Sequence, residues 1–230
     1  MKSPPPVTEY EIYLRVPELL TLQKPPAERS HHDELLFQVV HQVEELWMKL
    51  ILGEVEMAMR LLDEDALASA HAALLRANEV ERMMTAQLRL IETMTPHSYF
   101  EVRKGLGHGS GQESPGFNAI LRLAPDLGET LRRTLARHGT TALELHRSPA
   151  KDPLLLQLTE ALLDFDELFQ SFRYHHLMVV KRIIGAGTPS LKGKPTELLE
   201  RSMRQPFFPD LWEVREKMFA DFTAGASLRE

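Results

Sequence analysis

The stretch from Ser30 to Leu62 constrains the fold more than any other part of the chain. Leu35, Leu36, Val39, Val40, Val43, Leu46, Trp47, Leu50 and Ile51 recur at helical spacing and form one broad apolar stripe. Phe37, His41 and Met48 fall on a second face of the same helix that does not read as solvent-facing. A helix with two such faces has neighbours on both sides. His41 lies one turn after Phe37, so an imidazole and a phenyl ring leave a rigid element in the same direction. That is either a core helix with one internally bonded histidine or the wall of a site for a flat ligand. Ser30 is the expected N-cap, Asp33 and Glu34 suit the helix dipole, and Glu54 to Arg60 is expected to be the solvated part.

Around this helix the chain reads as more helix. Before it, Tyr10, Tyr13, Leu14, Val16, Leu19, Leu20 and Leu22 suggest a short arm, residues 1–25, kinked near Pro17 and ended by Pro25-Pro26. An arm this short cannot bury its own apolar face, so it docks either on its own core or on another subunit. After it, Asp65 to Thr93 gives a second long amphipathic helix, and Pro96 is placed to open a third at N1, carrying Tyr99 and Arg103. The segment Gly105 to Gly116 is too glycine-rich for regular structure and reads as a ligand-contacting turn or an ordinary connector. It is not a phosphate loop, because no strand precedes it and no Gly-Lys-Ser/Thr closes it.

Asn118 to His146 reads as one helix, Pro153 opens another that closes at Gly185, a short one follows near Leu198 to Met203, and Asp210 to Phe222 forms a terminal helix with its apolar residues in the core. No run alternates as a strand does, so the expected architecture is all-α: one helical bundle domain over residues 1–230.

His176 stands inside the apolar and aromatic stripe of the Pro153 helix, at i+4 from Phe172, whereas His175 points about 100° away. The flanking side chains offer its ring no partner, so it either bonds a carbonyl of another helix or ligates a metal or haem iron. The chain contains no cysteine, which excludes disulfides, thiolate metal sites and iron–sulfur clusters. Haem reconciles large apolar aromatic faces, a single axial histidine and this absence. A formal charge of −6 with scattered Lys and Arg predicts neither nucleic acid nor an anionic membrane as partner. With no apolar signal core and no run of about 18 apolar residues, a soluble, cytoplasmic protein is expected.

Several motifs occur together and in order. They are Tyr10-x-x-Tyr13-Leu14, His32-Asp33-Glu34-x-Leu36-Phe37-x-x-x-His41-Gln42-x-x-Glu45-Leu46-Trp47, Glu92-Thr93-Met94-Thr95-Pro96, Tyr99-x-x-x-Arg103, Ser110-Gly111-x-x-Ser114, Phe172-Arg173-x-x-His176, Gly187-Thr188 and Phe207-Phe208-Pro209-x-Leu211. In these the chain resembles the tryptophan 2,3-dioxygenase family over nearly its whole length. The resemblance implies haem b bound through His176 as proximal iron ligand, with O2 as co-substrate and Ser110 and Gly111 at the cofactor. It implies His41 as the distal histidine that takes the indole N–H, Phe37 packed on the indole, and Arg103, Tyr99 and Thr188 on the amino-acid end of the substrate. It further implies that Tyr10, Tyr13 and Leu14 reach a neighbouring subunit's pocket within a homotetramer, or at least a dimer, with exchanged arms. The reaction expected is cleavage of the indole C2–C3 bond of L-tryptophan to N-formylkynurenine.

Three departures stand out against the family pattern. The segment between Arg103 and His176 is shorter, the Ser-Gly-Phe-Gln-Ser turn reads Ser110-Gly111-Gln112-Glu113-Ser114, and the Gly-Thr-Gly-Gly-Ser loop reads Gly187-Thr188-Pro189-Ser190. They keep two alternatives open: single-oxygen insertion into a substituted tryptophan or indole to give a 2-oxindole in secondary metabolism, and a non-catalytic haem- or indole-binding protein.

Overall fold

A computed structural model describes residues 7–107, 109, 111–185 and 205–227. Among them there are helices and turns but no strand. The long elements are α3 (Glu34–Asp63), α4 (Leu67–Ile91), α6 (Pro115–Arg137) and α8 (Pro153–Ile184). Short helices join or flank them: α1 (Glu9–Leu14), α2 (Val16–Leu19), α5 (Pro96–Gly105), α7 (Ala142–Arg147) and the terminal α9 (Pro209–Ser227).

α4 is the central layer, with α3 on one side and α8 on the other, while α6 lies along α3. Its sequence suits that place. Ala70, Ala73 and Ala77 are fully buried, and their small side chains let two neighbouring helices approach one backbone. Leu74, Met84 and Leu88 fill the space between, joined by Ile51, Val55 and Leu62 from α3 and by Leu158, Leu162, Phe165 and Phe169 from α8. Asn78 donates to the Ala161 carbonyl across the α4–α8 contact (3.0 Å). Asp166 of α8 accepts from the Phe208 amide (3.1 Å) and the Trp212 indole (3.0 Å), which fastens the start of α9.

Five sequence expectations change. α3 begins at Glu34 with Asp33 as N-cap, and Ser30 acts from outside, its amide and hydroxyl both donating to the Glu34 carboxylate (2.7 and 3.0 Å). The Glu54–Arg60 segment is not simply solvated, since Val55 and Ala58 are core residues, while Val39, Leu46 and Leu50 of the supposed inner stripe are exposed. The arm breaks at Arg15, in a left-handed conformation (φ 53°), because Pro17 belongs to the first turn of α2. The Asn118–His146 segment is two helices, parted at Gly139 (φ 63°), with Thr141 and Glu144 forming a capping box for α7. In α9, Leu211 and Val214 are buried, but Phe219 and Phe222 are exposed rather than in the core. The short helix expected near Leu198 lies outside the described residues.

Candidate functional site

α3 presents Phe37 and His41 on one face, in contact with ring centroids 4.0 Å apart and tilted by 31°. The Nδ1 atom of His41 lies 2.7 Å from the Phe37 carbonyl oxygen. A carbonyl only accepts, so Nδ1 carries the proton and Nε2 of the neutral ring is left as a lone-pair acceptor. Burial pushes the His41 pKa down, opposed by that hydrogen bond and by the charge of Glu45. Among the described residues Nε2 has no hydrogen-bond partner.

α5 supplies the adjoining wall. Thr95 caps it in a box with Ser98, Pro96 occupies N1 as expected, and Ser30 donates to the Glu101 carbonyl (3.1 Å), tying α5 to the entry of α3. This brings Tyr99 within 6.3 Å of Phe37, ring to ring. Arg103 follows one turn later. Burial raises the Tyr99 pKa and the Arg103 charge lowers it, so the hydroxyl and the guanidinium share one environment. Among the described residues Arg103 forms no hydrogen bond or ion pair, leaving a partly buried cation with all its donors available.

His176 comes from α8, where it stacks on Phe172 at 6.3 Å and 23°. Its ring, too, finds no hydrogen-bond partner among the described residues. Burial, then the nearby charge of His41, pushes its pKa down to about 4. The two imidazoles, far apart in sequence, therefore come from α3 and α8 to the same part of the fold. Both rings are half-buried. Gly111, in a 3-10 turn (Gly111–Glu113), lies beside His176: a Cβ on it would stand 4.0 Å from Cε1 of that ring.

The structure thus gathers Phe37, His41, Tyr99, Arg103, Gly111 and His176 into one region. It does not bring the arm there. Tyr10 and Tyr13 are 70% and 87% exposed, Leu14 is exposed, and α1 buries no residue within its own chain. Ser110 and Thr188 lie outside the described residues. Sequence reasoning passed over Glu45, which accepts from the Ser114 hydroxyl and from the Gly116 amide (3.0 Å). Its position one turn after His41 on the same face was the available signal. A separate surface groove bordered by Glu56, Met59, Arg60, Asp63 and Leu123 begins about 22 Å farther along α3 and shares none of these residues.

Comparison with known proteins gives this arrangement its context. The family model for tryptophan 2,3-dioxygenase matches residues 6–124, which takes in α1 to α5 and half of α6. The chain belongs to the tryptophan 2,3-dioxygenase family. A tryptophan 2,3-dioxygenase of Caulobacter vibrioides is 33% identical, over 91% of this chain and 98% of that protein. Those of Myxococcus xanthus and Serratia proteamaculans are 31% and 30% identical, each over 92% of this chain and over 90% and 93% of their own lengths. The pairing with the Caulobacter protein runs over 260 positions, more than the 230 residues of this chain, so that dioxygenase carries segments absent here. The family match reaches every α3 and α5 residue of the site, whereas His176 lies beyond it.

Proposed function

We propose that the protein is a haem-dependent oxygenase that cleaves the indole ring of L-tryptophan between C2 and C3, incorporating both atoms of O2 to give N-formylkynurenine. The observation that carries this reading is the Phe37, His41 and Tyr99 wall on α3 and α5, with Gly111 set beside His176, in a chain of the tryptophan 2,3-dioxygenase family. The residues fit a haem. Burial holds the His176 pKa down to about 4 and its ring has no hydrogen-bond partner among the described residues, so a ring nitrogen has its lone pair available to an iron. Gly111 brings bare backbone beside His176, and we assign it to the cofactor, with Ser110, which lies outside the described residues. Haem bound there supplies the activation of O2.

The chain's own groups bind and orient the substrate. Arg103 holds the carboxylate in a two-pronged, charge-assisted grip, with Tyr99 donating its hydroxyl to the same zwitterionic end and Thr188 assisting. Phe37 lies against the indole ring, and Nε2 of His41 accepts the indole N–H. The exposed aromatic arm supports a homotetramer, or a dimer within it, in which Tyr10, Tyr13 and Leu14 close a neighbour's pocket. No helix among the described residues is long and apolar enough to cross a membrane, consistent with the cytoplasmic site of action we assign.

Incubation of ferrous, haem-loaded protein with L-tryptophan and 18O2 tests the proposal. The expected product is heavier by two labelled oxygen atoms, and the absence of any oxygenated product contradicts the reading. The polar Gln112-Glu113 pair and the missing segments favour one second reading, single-oxygen insertion into a substituted indole. It predicts a product carrying one labelled atom.

A further inference from the structure

Glu45 is engaged with more of the pocket's surroundings than its place on α3 alone requires. One carboxylate oxygen accepts from the Ser114 hydroxyl, and the other from the Gly116 amide at 3.0 Å. The same Ser114 oxygen accepts from the Phe117 amide (3.1 Å) and so caps α6, which makes the carboxylate, the cap and the helix start a single connected unit. Packing there is close. A Cβ on Gly116 would fall 2.7 Å from Cβ of Met48 and 2.8 Å from Oε2 of Glu45, so α6 meets α3 through bare backbone. Residue 114 follows directly on the Gly111–Glu113 turn, whose first residue adjoins His176. Three residues of chain span at most about 10 Å, so whatever holds Ser114 also limits where Gly111 sits.

We propose that Glu45 is a positioning residue of the pocket: by clamping Ser114 and the Gly116 amide to the turn of α3 after His41, it sets where the Gly111–Glu113 turn lies beside His176. The proposal rests on the reading of His41 and His176 as two sides of one haem pocket. Glu45 touches neither substrate nor cofactor in it. It links the helix bearing the distal histidine to the turn that adjoins the proximal one.

Glu45→Ala, Glu45→Gln and Ser114→Ala, each compared with wild type, provide the test. The first readout is amide hydrogen exchange in residues 111–118, which does not depend on turnover. Glu45→Ala should accelerate it by about tenfold or more, the equivalent of one charge-assisted hydrogen bond, with α4 amides unchanged. Glu45→Gln, whose amide accepts from Gly116 and donates to Ser114, should restore most of the protection. The second readout is KM against kcat for L-tryptophan on haem-loaded protein: the alanine variant should keep its Soret band and raise KM more than it lowers kcat. Unchanged exchange in Glu45→Ala overturns the proposal, as does faster exchange with unchanged KM. If Glu45→Ala does not fold, Ser114→Ala takes its place, with a smaller change in the same direction expected and no change overturning the clamp. A wild-type protein without oxygenase activity would refute the proposed function, while the exchange data would still decide whether Glu45 holds the turn.

Discussion

At the scale of single residues, the proposed pocket presents atoms that have no partner among the described residues. His41 has Nδ1 committed to the Phe37 carbonyl and no partner at Nε2 among the described residues, and burial lowers its pKa. Its pKa lies below the usual 6.5, so the basic form predominates from pH 6.5 upward and is lost as pH falls through the depressed value. The acid limb of kcat/KM for tryptophan should accordingly lie below pH 6.5, and a limb above it would contradict this assignment. Arg103 has no partner among the described residues, so Arg103→Ala should raise KM by roughly 10- to 100-fold, the loss of a charged hydrogen-bonding grip. Arg103→Lys should restore little, because an ammonium does not reproduce the planar fork. Steady-state kinetics on the two variants decide the point. Residues set by local spacing, such as Phe37 with His41 and Tyr99 with Arg103, were legible in the sequence. How α3 lies relative to α8, and so His41 to His176, was not, because that relation is set by α4 packed between them.

Among the elements, close approach of backbones decides what is tolerated. Gly116 sits where α6 meets α3, and Gly116→Ala forces a methyl group against Met48 and Glu45. The expected cost is about 1–3 kcal/mol, measurable as a lowered denaturation midpoint. Glu44, buried between α3 and α4, has its pKa raised to about 7, first by burial and further by Glu45, with Gln87 opposing. A carboxyl group with a raised folded-state pKa contributes fully below its unfolded value near 4.5, and its contribution is lost as pH rises through 7. Glu44→Gln should therefore gain stability relative to wild type between those pH values, by at most about 3 kcal/mol, in denaturation curves run at pH 5 and pH 8. Element boundaries show where local signals suffice. Pro96, Pro153 and Gly185 mark ends that the structure retains, because proline at N1 and glycine past a C-terminus act locally. The break at Gly139 was equally local but was hidden by leucine periodicity that continues across it. The exposure of Leu46 and Leu50 could not be read at all, since helical spacing groups apolar residues without saying what covers them.

On the scale of the whole molecule, the chain keeps the helices that build the pocket while lacking segments its longer relatives carry. Its arm, fastened to α3 by Gln23 donating to Gln42 (2.7 Å) and by Lys24 paired with Glu34 (2.6 Å), holds Tyr10 and Tyr13 out in solvent. If the arm completes a neighbour's pocket, Tyr10→Ala with Tyr13→Ala should raise the tryptophan KM without changing haem content, as measured by kinetics and absorption together. The identity of the fold was legible because so much of the chain repeats at helical spacing; the assembly was not, since an apolar arm does not say whose surface it covers. The central claim, that His176 holds a haem opposite His41, is tested most directly by titrating haem into purified wild-type and His176→Ala protein and following the Soret band. Wild type should saturate at one haem per chain, and His176→Ala should lose the band while keeping its helical circular dichroism. A band of equal strength in His176→Ala, or none in the wild type, would contradict the account.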